Sequence, residues 1–158
     1  MSAWRDIPPV QFKRVEFDPF ADGTQELAYF APATEAQQEL WNASQLGPDA
    51  SCAFNECISL RLRGALDVAA LQAALTLVTE RNEALRMTFA PGGELFCVAE
   101  RAQFECLIQD RDEQGLEDWR RQAVNQPFDL LHGPLFRAWL ARLADREHEL
   151  ILSAHHVV

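Results

Sequence analysis

The sequence predicts a mixed α/β (α+β) fold, a two-layer sandwich of amphipathic helices packed against strands. Residues 57–63 and 148–158 alternate apolar and polar side chains with the period of a half-buried strand. Residues 67–78 instead repeat apolar side chains at spacings of three and four, as an amphipathic helix does. With 158 residues, of which 48% are hydrophobic, the chain can bury a core as one domain or sub-domain.

The first 33 residues read as a separate opening segment. The prolines at positions 8 and 9 and the turn signal Asp22-Gly23 favour an extended lead-in or a short hairpin. We therefore assign residues 1–33 to this segment and 34–158 to the folded body. The segment is either an ordinary structural arm or an element that docks a partner.

A first helix begins after Thr34, whose hydroxyl suits an N-cap. Leu40 and Trp41 supply its apolar side, and it must end near Gly47-Pro48. We expect this helix to place Trp41 in the core.

A strand and a second helix follow. The strand covers residues 57–63, and its predicted buried face consists of Ile58, Leu60 and Leu62. Asp67 can cap the helix after it. The apolar stripe of that helix consists of Val68, Leu71, Leu75 and Val78.

Three short strands, residues 85–89, 95–98 and 104–108, are predicted to form a meander around the turn at 90–93. Asp112 can then cap another helix, whose inward residues are Leu116, Trp119 and Ala123.

That helix ends before Gln126-Pro127, because proline disfavours a helical predecessor. Two strands follow, at residues 135–143 and 148–158. Alternation along the last strand places His155 and His156 on opposite faces, so the two rings cannot share a site while the strand lasts.

Composition and motifs exclude several function classes. Fourteen basic against 24 acidic residues give a net charge of −10, which disfavours nucleic acid as a partner. The chain has no secretory leader and no apolar run long enough to cross a membrane, so we expect a cytoplasmic protein. The four cysteines lack zinc spacing and are expected to be buried thiols, and no metal or phosphate-binding motif is present.

The adjacent His155 and His156 are the strongest candidates for chemistry. A neutral imidazole at the end of an apolar strand can act as a general base near neutral pH. The alternative is that one histidine is a satisfied core residue and the other lies on the surface. His132 and His148 are assigned to solvent or to local hydrogen bonds.

Four ordered segments resemble the core motifs of nonribosomal peptide synthetase condensation domains. Residues 33–41 (ATEAQQELW) resemble the first motif, which carries Gln37 and Trp41, and residues 81–89 (RNEALRMTF) resemble the second. Between the second and third motifs, residues 127–137 resemble the family's Phe-Asp-Leu and Gly-Pro-Leu-x-Arg stretch. Residues 153–158 (SAHHVV) are similar to the opening of the third, His-His-x-x-x-Asp-Gly.

The second motif departs from the family at Asn82, where the family has histidine. For Arg81, Glu83 and Arg86 of this motif, we expect a helix-to-strand corner held by ion pairs and surface charge. The Asp-Gly of the third motif would lie beyond Val158. The chain thus resembles a truncated N-terminal lobe of a two-lobed, chloramphenicol-acetyltransferase-like fold.

The resemblance implies amide formation between a carrier-bound acyl or peptidyl thioester and a carrier-bound aminoacyl amine. It implies His156 as the catalytic residue and His155 as its support, with no bound cofactor beyond the phosphopantetheine arms of the carriers. The implied partners are an upstream donor carrier protein, a downstream acceptor carrier domain and the remainder of the same synthetase. Self-association through an exposed lobe face is a further expectation.

Two other functions stay open from the sequence. The lobe could bind carriers or assist assembly without chemistry of its own. It could also belong to another two-lobed acyltransferase, one that uses a coenzyme A thioester or an alcohol acceptor. Without the second lobe, which would complete the tunnel, we expect these 158 residues alone to be inactive.

Overall fold

The computed structural model describes residues 17, 20, 26–102 and 104–158. The strands of these ranges form two β-sheets. The smaller sheet joins, in order, β1 (Leu27–Pro32), β4 (Leu95–Ala99) and β3 (Met87–Phe89). The larger sheet joins β2 (Asn55–Arg63), β7 (Glu147–His155), β6 (Phe136–Ala144) and β5 (Cys106–Asp110). The helices are α1 (Glu35–Ser44), α2 (Pro48–Cys52), α3 (Val68–Arg81) and α4 (Leu116–Val124), with a 3-10 turn at Glu83–Arg86.

Helices α3 and α4 lie on opposite faces of the larger sheet. On the α3 face, one cluster consists of Leu75, Cys106, Ala138, Leu140 and Leu150. On the α4 face, another consists of Leu116, Trp119, Ala123, Trp139, Ala141 and Ile151. Successive residues of β6 alternate between the two clusters, as strand geometry requires. The predicted mixed α/β class is confirmed, and this sheet carries a helix against each face.

A third cluster joins the smaller sheet to the end of β7. Its buried members are Ala33, Met87, Phe89, Val98, Phe128, Leu130, Leu135 and Val157, and α1 packs Leu40 and Trp41 against them. Trp41 is half-buried, and its ring lies against Gly93 in the β3–β4 turn. Thr34 caps α1 as predicted, in a capping box with Gln37.

The predicted meander is wrong. Strands β3 and β4 pair in the smaller sheet, whereas β5 runs parallel to β6 in the larger one, with Cys106 opposite Ala138. Burial of Cys106 beneath α3 favours this long-range partner over the sequence neighbour.

Two expectations about buried faces also change. Ile58 and Leu60 are 52% and 38% exposed, because β2 is an edge strand and α3 covers it only at Leu62. On α3, Val78 is exposed and Thr79 is buried in its place. The Thr79 hydroxyl donates to the Leu75 carbonyl (2.9 Å), which satisfies the buried polar group.

The chain ends differ in detail from the sequence expectation. Residues 27–32 of the opening segment are extended and pair with β4, while the predicted turn at 22–23 lies outside the described residues. Strand β7 stops at His155, three residues earlier than predicted, and helix α2 was not predicted at all. In the described ranges, no helix has both the length and the apolarity to cross a membrane.

Candidate active site

The two adjacent histidines lie in opposite environments at the end of β7. His155 is fully buried, whereas the side chain of His156 is 61% exposed. His155 is the last residue of β7, whereas His156 begins the turn that follows, so the strand predicted for both residues includes only His155. Only His156 is in a position to meet a substrate from solvent.

Hydrogen bonds fix the neutral form of His155. The Val157 N–H donates to Nδ1 (3.2 Å), so the ring proton is on Nε2. Nε2 lies 3.3 Å from the Ser44 hydroxyl, which itself donates to the Leu40 carbonyl (2.8 Å). Both ring nitrogens of His155 and the Ser44 hydroxyl therefore have hydrogen-bond partners while the imidazole carries a single proton.

Burial, with a further contribution from the neighbouring His156, lowers the pKa of His155 to about 4. The rings of Phe54 and Phe128 lie 6.0 and 6.1 Å from the imidazole, centroid to centroid. His155 is thus an uncharged structural support, not a group that exchanges protons near neutral pH.

His156 is held through its backbone and leaves its ring accessible. Its N–H donates to the Phe54 carbonyl (2.8 Å), which ties it to the start of β2. The ring Nδ1 lies 3.6 Å from Oε1 of Glu56, whose own side chain is 72% exposed. Within the described ranges no hydrogen bond engages Nε2, so this nitrogen can accept or donate a proton.

The stretch 127–137 supports the buried side of this corner. Phe128 packs edge-on against the His155 ring, and the guanidinium of Arg137 lies 4.2 Å from the Phe128 ring centre. Arg137 also donates to the carbonyls of Gln126 (3.3 Å) and Pro127 (3.1 Å). This motif therefore has a packing role behind His155.

The first-motif residue Gln37 reaches the same corner. Its Nε2 donates to the Val157 carbonyl (3.2 Å), and its Oε1 accepts from the Thr34 N–H (3.0 Å). Trp41, four residues on, packs in the cluster beneath Val157. Both residues thus contribute to the support of the histidines.

The second-motif residues lie at a different place, the corner that joins α3 to β3. Glu83 accepts a hydrogen bond from the Tyr29 hydroxyl (2.8 Å). Arg86 donates to the carbonyls of Ala99 and Glu100, and Arg81 is exposed. Hydrogen bonds to neutral groups hold this corner, rather than the ion pairs expected from the sequence.

The other candidate ligands are scattered. His132 is exposed and bonds Asp129 (2.9 Å), whereas His148 is buried, contrary to the expected solvent position. Cys97 and Cys106 are buried, but Cys57 is exposed and Cys52 only half-buried, so the expectation of four buried thiols is wrong for these two. Across the part of the chain that the structure describes, no three His, Cys, Asp or Glu side chains could hold a metal ion together.

A groove of about 580 Å³ beside β5 and β6 lies apart from the histidines. Its lining includes Phe104, Phe136, Arg137 and Trp139, but neither His155 nor His156. Because its described lining contains no histidine, cysteine, serine or threonine, the histidine corner is the better candidate site.

Three contacts at this corner, those of Ser44, Phe54 and Glu56, were not predicted from the sequence. Ser44 follows Gln37 by seven residues, two turns of helix, so the shared face of α1 could have suggested it. Phe54 and Glu56 reach His156 through the pairing of β2 with β7, which a single sequence does not specify.

Comparisons with known proteins agree with one another. Residues 28–158 match the family model of the condensation domain. The chain is 38% identical over 130 residues to a probable non-canonical nonribosomal peptide synthetase, CymA, of Salinispora arenicola, covering 80% of this chain and 2% of that protein. It is 39% identical over 133 residues to an isonitrile lipopeptide synthase of Mycobacterium tuberculosis, covering 80% and 5%.

Solved structures show the same fold. The X-domain in complex with OxyB from teicoplanin biosynthesis superposes with a TM-score of 0.73 at 31% identity, over 78% of this chain and 27% of that one. A mutant of the starter condensation domain of the rhizomide synthetase gives a TM-score of 0.72 at 26% identity, over 82% and 33%. The chain therefore spans a few per cent of these curated relatives and about a third of the solved domains.

Proposed function

The chain belongs to the condensation domain family, and from that premise we propose that it is the donor-side lobe of an amide-forming enzyme in nonribosomal or hybrid polyketide-peptide biosynthesis. Its substrates would be an acyl or peptidyl thioester on an upstream carrier protein and the amine of an aminoacyl thioester on a downstream acceptor carrier. In this proposal residues 34–158 form the lobe, and residues 1–33 form a structural arm or a docking segment.

The proposed chemistry is transfer of the acyl group from sulfur to nitrogen. The amine attacks the thioester carbonyl, a C–N bond forms, the C–S bond breaks and the donor arm leaves as a thiol. His156 accepts a proton from the attacking nitrogen, or orients the amine and stabilises the charged intermediate. Phosphopantetheine enters only as the arm of each carrier.

One observation carries the proposal: the imidazole of His156 is accessible and its backbone is fixed, and the neighbouring imidazole of His155 is buried and uncharged. His156 exposes most of its ring and has a free Nε2, while the neutral His155 holds the turn from inside. A base that must meet a carrier-bound substrate needs this combination of access and fixed position.

The remainder of the synthetase would supply the second wall of the site. We expect the 158 residues alone to be inactive, and we expect Asp-Gly at the second and third positions after Val158. Mass determination and C-terminal sequencing of the natural polypeptide check the latter directly. The cytoplasmic setting stays a prediction.

The activity is tested in the natural polypeptide that contains this segment, with loaded donor and acceptor carriers. We expect His156→Ala to lower amide formation at least a hundred-fold. Arg63→Ala, at the opposite end of β2 with a side chain that is 80% exposed, should leave it unchanged. Retained activity in His156→Ala would exclude the proposed role. Transfer to an alcohol, or from a coenzyme A thioester, in place of amide formation would indicate the related two-lobed acyltransferases.

One finding favours a second function. The similar X-domain was solved in complex with OxyB, so a lobe of this fold can recruit another protein. In that case the lobe binds a carrier or assembly partner without chemistry, and His156→Ala leaves both binding and product formation intact.

A further inference from the structure

Helix α1 contacts the histidine corner, residues 155–157, at two points on one face. Near its end, the Ser44 hydroxyl lies 3.3 Å from Nε2 of His155. Two turns earlier, Nε2 of Gln37 donates to the Val157 carbonyl (3.2 Å). Residues seven apart share a helix face, so one rigid element holds both sides of His156.

The three hydrogen bonds of Gln37 fix the orientation of its amide. Oε1 accepts from the Thr34 N–H (3.0 Å) and from the Thr34 hydroxyl (3.1 Å). The amide nitrogen is therefore turned to the Val157 carbonyl, to which it donates. Gln37 thus does two separable things: Oε1 closes the capping box, and Nε2 holds the histidine corner.

The direction of the His156 ring depends on this backbone. Its own N–H is bonded to Phe54, the preceding residue is fixed by Ser44, and the following residue is fixed by Gln37. Among the residues that the structure describes, the polar contact of the exposed ring itself is the 3.6 Å approach to Glu56. The direction of this ring therefore depends on the backbone on either side of His156.

We propose that Gln37 is a positioning residue for His156, which it aims through the Val157 carbonyl without contacting substrate. This inference rests on the proposed function of His156. It assigns to Gln37 a role beyond helix capping, and the two roles predict opposite results for one substitution.

Gln37→Glu separates the two roles. Glutamate keeps both carboxylate oxygens for the capping box and suits the positive end of the helix, so α1 stays capped. It has no N–H for the Val157 carbonyl, so the hold on the histidine corner is lost. We expect kcat for amide formation in the natural polypeptide to fall about ten- to hundred-fold, with KM for both loaded carriers within about two-fold.

Thr34→Ala is the matched control. It removes the capping hydroxyl and its bond to Gln37 Oε1, but the Thr34 N–H still orients the amide, so the bond from Gln37 to Val157 stays in place. Hydrogen exchange should accelerate in α1 for Thr34→Ala and in residues 155–158 for Gln37→Glu. The kcat of Thr34→Ala should stay within about two-fold of the wild type.

Comparing Gln37→Glu with His156→Ala distinguishes failure of the positioning role from failure of the proposed function. If His156→Ala abolishes activity but Gln37→Glu keeps the wild-type kcat, the positioning role is overturned alone. It is also overturned if Gln37→Glu and Thr34→Ala lower kcat equally, because capping would then explain both. If His156→Ala stays active, the proposed function falls, and faster exchange at residues 155–158 in Gln37→Glu still tests whether Gln37 holds the corner.

Discussion

Glu149 is a buried carboxylate whose removal should destabilise the larger sheet. Its side chain is 1% exposed, on the α4 face of β7. Arg120 donates to both carboxylate oxygens, the Ser59 hydroxyl donates to Oε1 (2.6 Å), and Arg61 donates to Oε2 (3.3 Å). The perturbation is Glu149→Gln, which keeps the size of the side chain and removes its charge.

The expected loss of stability follows from the hydrogen bonds to Glu149 that Arg120 and Arg61 lose. An amide offers one acceptor and turns an NH2 group towards a guanidinium, so at least one bond to Arg120 is lost. Removing one partner of a buried ion pair costs about 3–5 kcal/mol. Because the side chain of Arg120 is 37% exposed, water recovers part of that loss. We expect Glu149→Gln to lower the free energy of unfolding by about 2–4 kcal/mol at neutral pH.

The pH dependence has a definite sign. The hydrogen bonds from Arg120 lower the pKa of Glu149, and those from Ser59 and Arg61 add to this against the opposing effect of burial. The unfolded chain therefore binds a proton more readily than the folded one. The contribution of the carboxylate is complete above the ordinary glutamate pKa of about 4.3 and is lost as the pH falls through the lower, folded-state pKa.

Urea unfolding of the chain, followed by tryptophan fluorescence, measures the effect, since Trp119 and Trp139 lie in the cluster on this face. The gap between wild type and Glu149→Gln should shrink between pH 7 and pH 3. Asp118→Asn, which removes an exposed ion pair on α4, is the control and should change nothing measurable. A Glu149→Gln variant within about 0.5 kcal/mol of the wild type at pH 7 would refute the reasoning.

Three more predictions concern the core and the histidine corner. The His155 ring should stay neutral in an NMR titration down to about pH 4. Because the unfolded chain protonates this ring near pH 6.5, the free energy of unfolding should decrease as the pH is lowered from about 6.5 to about 4. A ring that titrates near 6.5 in the folded protein would contradict its burial. Gly93→Ala should cost about 1–3 kcal/mol in urea unfolding, since the new Cβ would lie 2.6 Å from the Trp41 ring at a φ of +72°; an unchanged midpoint would be inconsistent with that contact. Leu140→Ala, at a fully buried site between β6 and α3, should cost about 2–5 kcal/mol, and a loss below about 1 kcal/mol would argue against this core.

Local chemistry made part of the fold predictable. The capping residues Thr34 and Gln37 lie close together in the chain, so the start of α1 follows from the sequence, and the strand predicted over 148–158 is confirmed as far as His155. The family resemblance, which rests on four ordered motifs, also indicated the correct fold family.

Pairings between distant segments were not predictable from local pattern. Strand β5 was predicted to continue a meander, yet it pairs with β6, some thirty residues on, where Cys106 is buried. Ile58 and Leu60 form an apolar face that stays exposed, since burial depends on where α3 ends and not on the residues themselves. For the same reason Ser44 and Glu56 were missed at the candidate site: each reaches the histidines across a long stretch of chain.

The pairing of β2 with β7 also sets an order of events during synthesis. In the described sheet, β7 is the only neighbour of β2, and Arg63 pairs with Glu147 while Asn55 pairs with His155. A ribosome that adds about 5–20 residues per second therefore leaves β2 without its partner for several seconds, with the backbone groups that bond to β7 unpaired. A nascent chain stalled before β7 should bind chaperones at β2, and release should coincide with emergence of the two histidines.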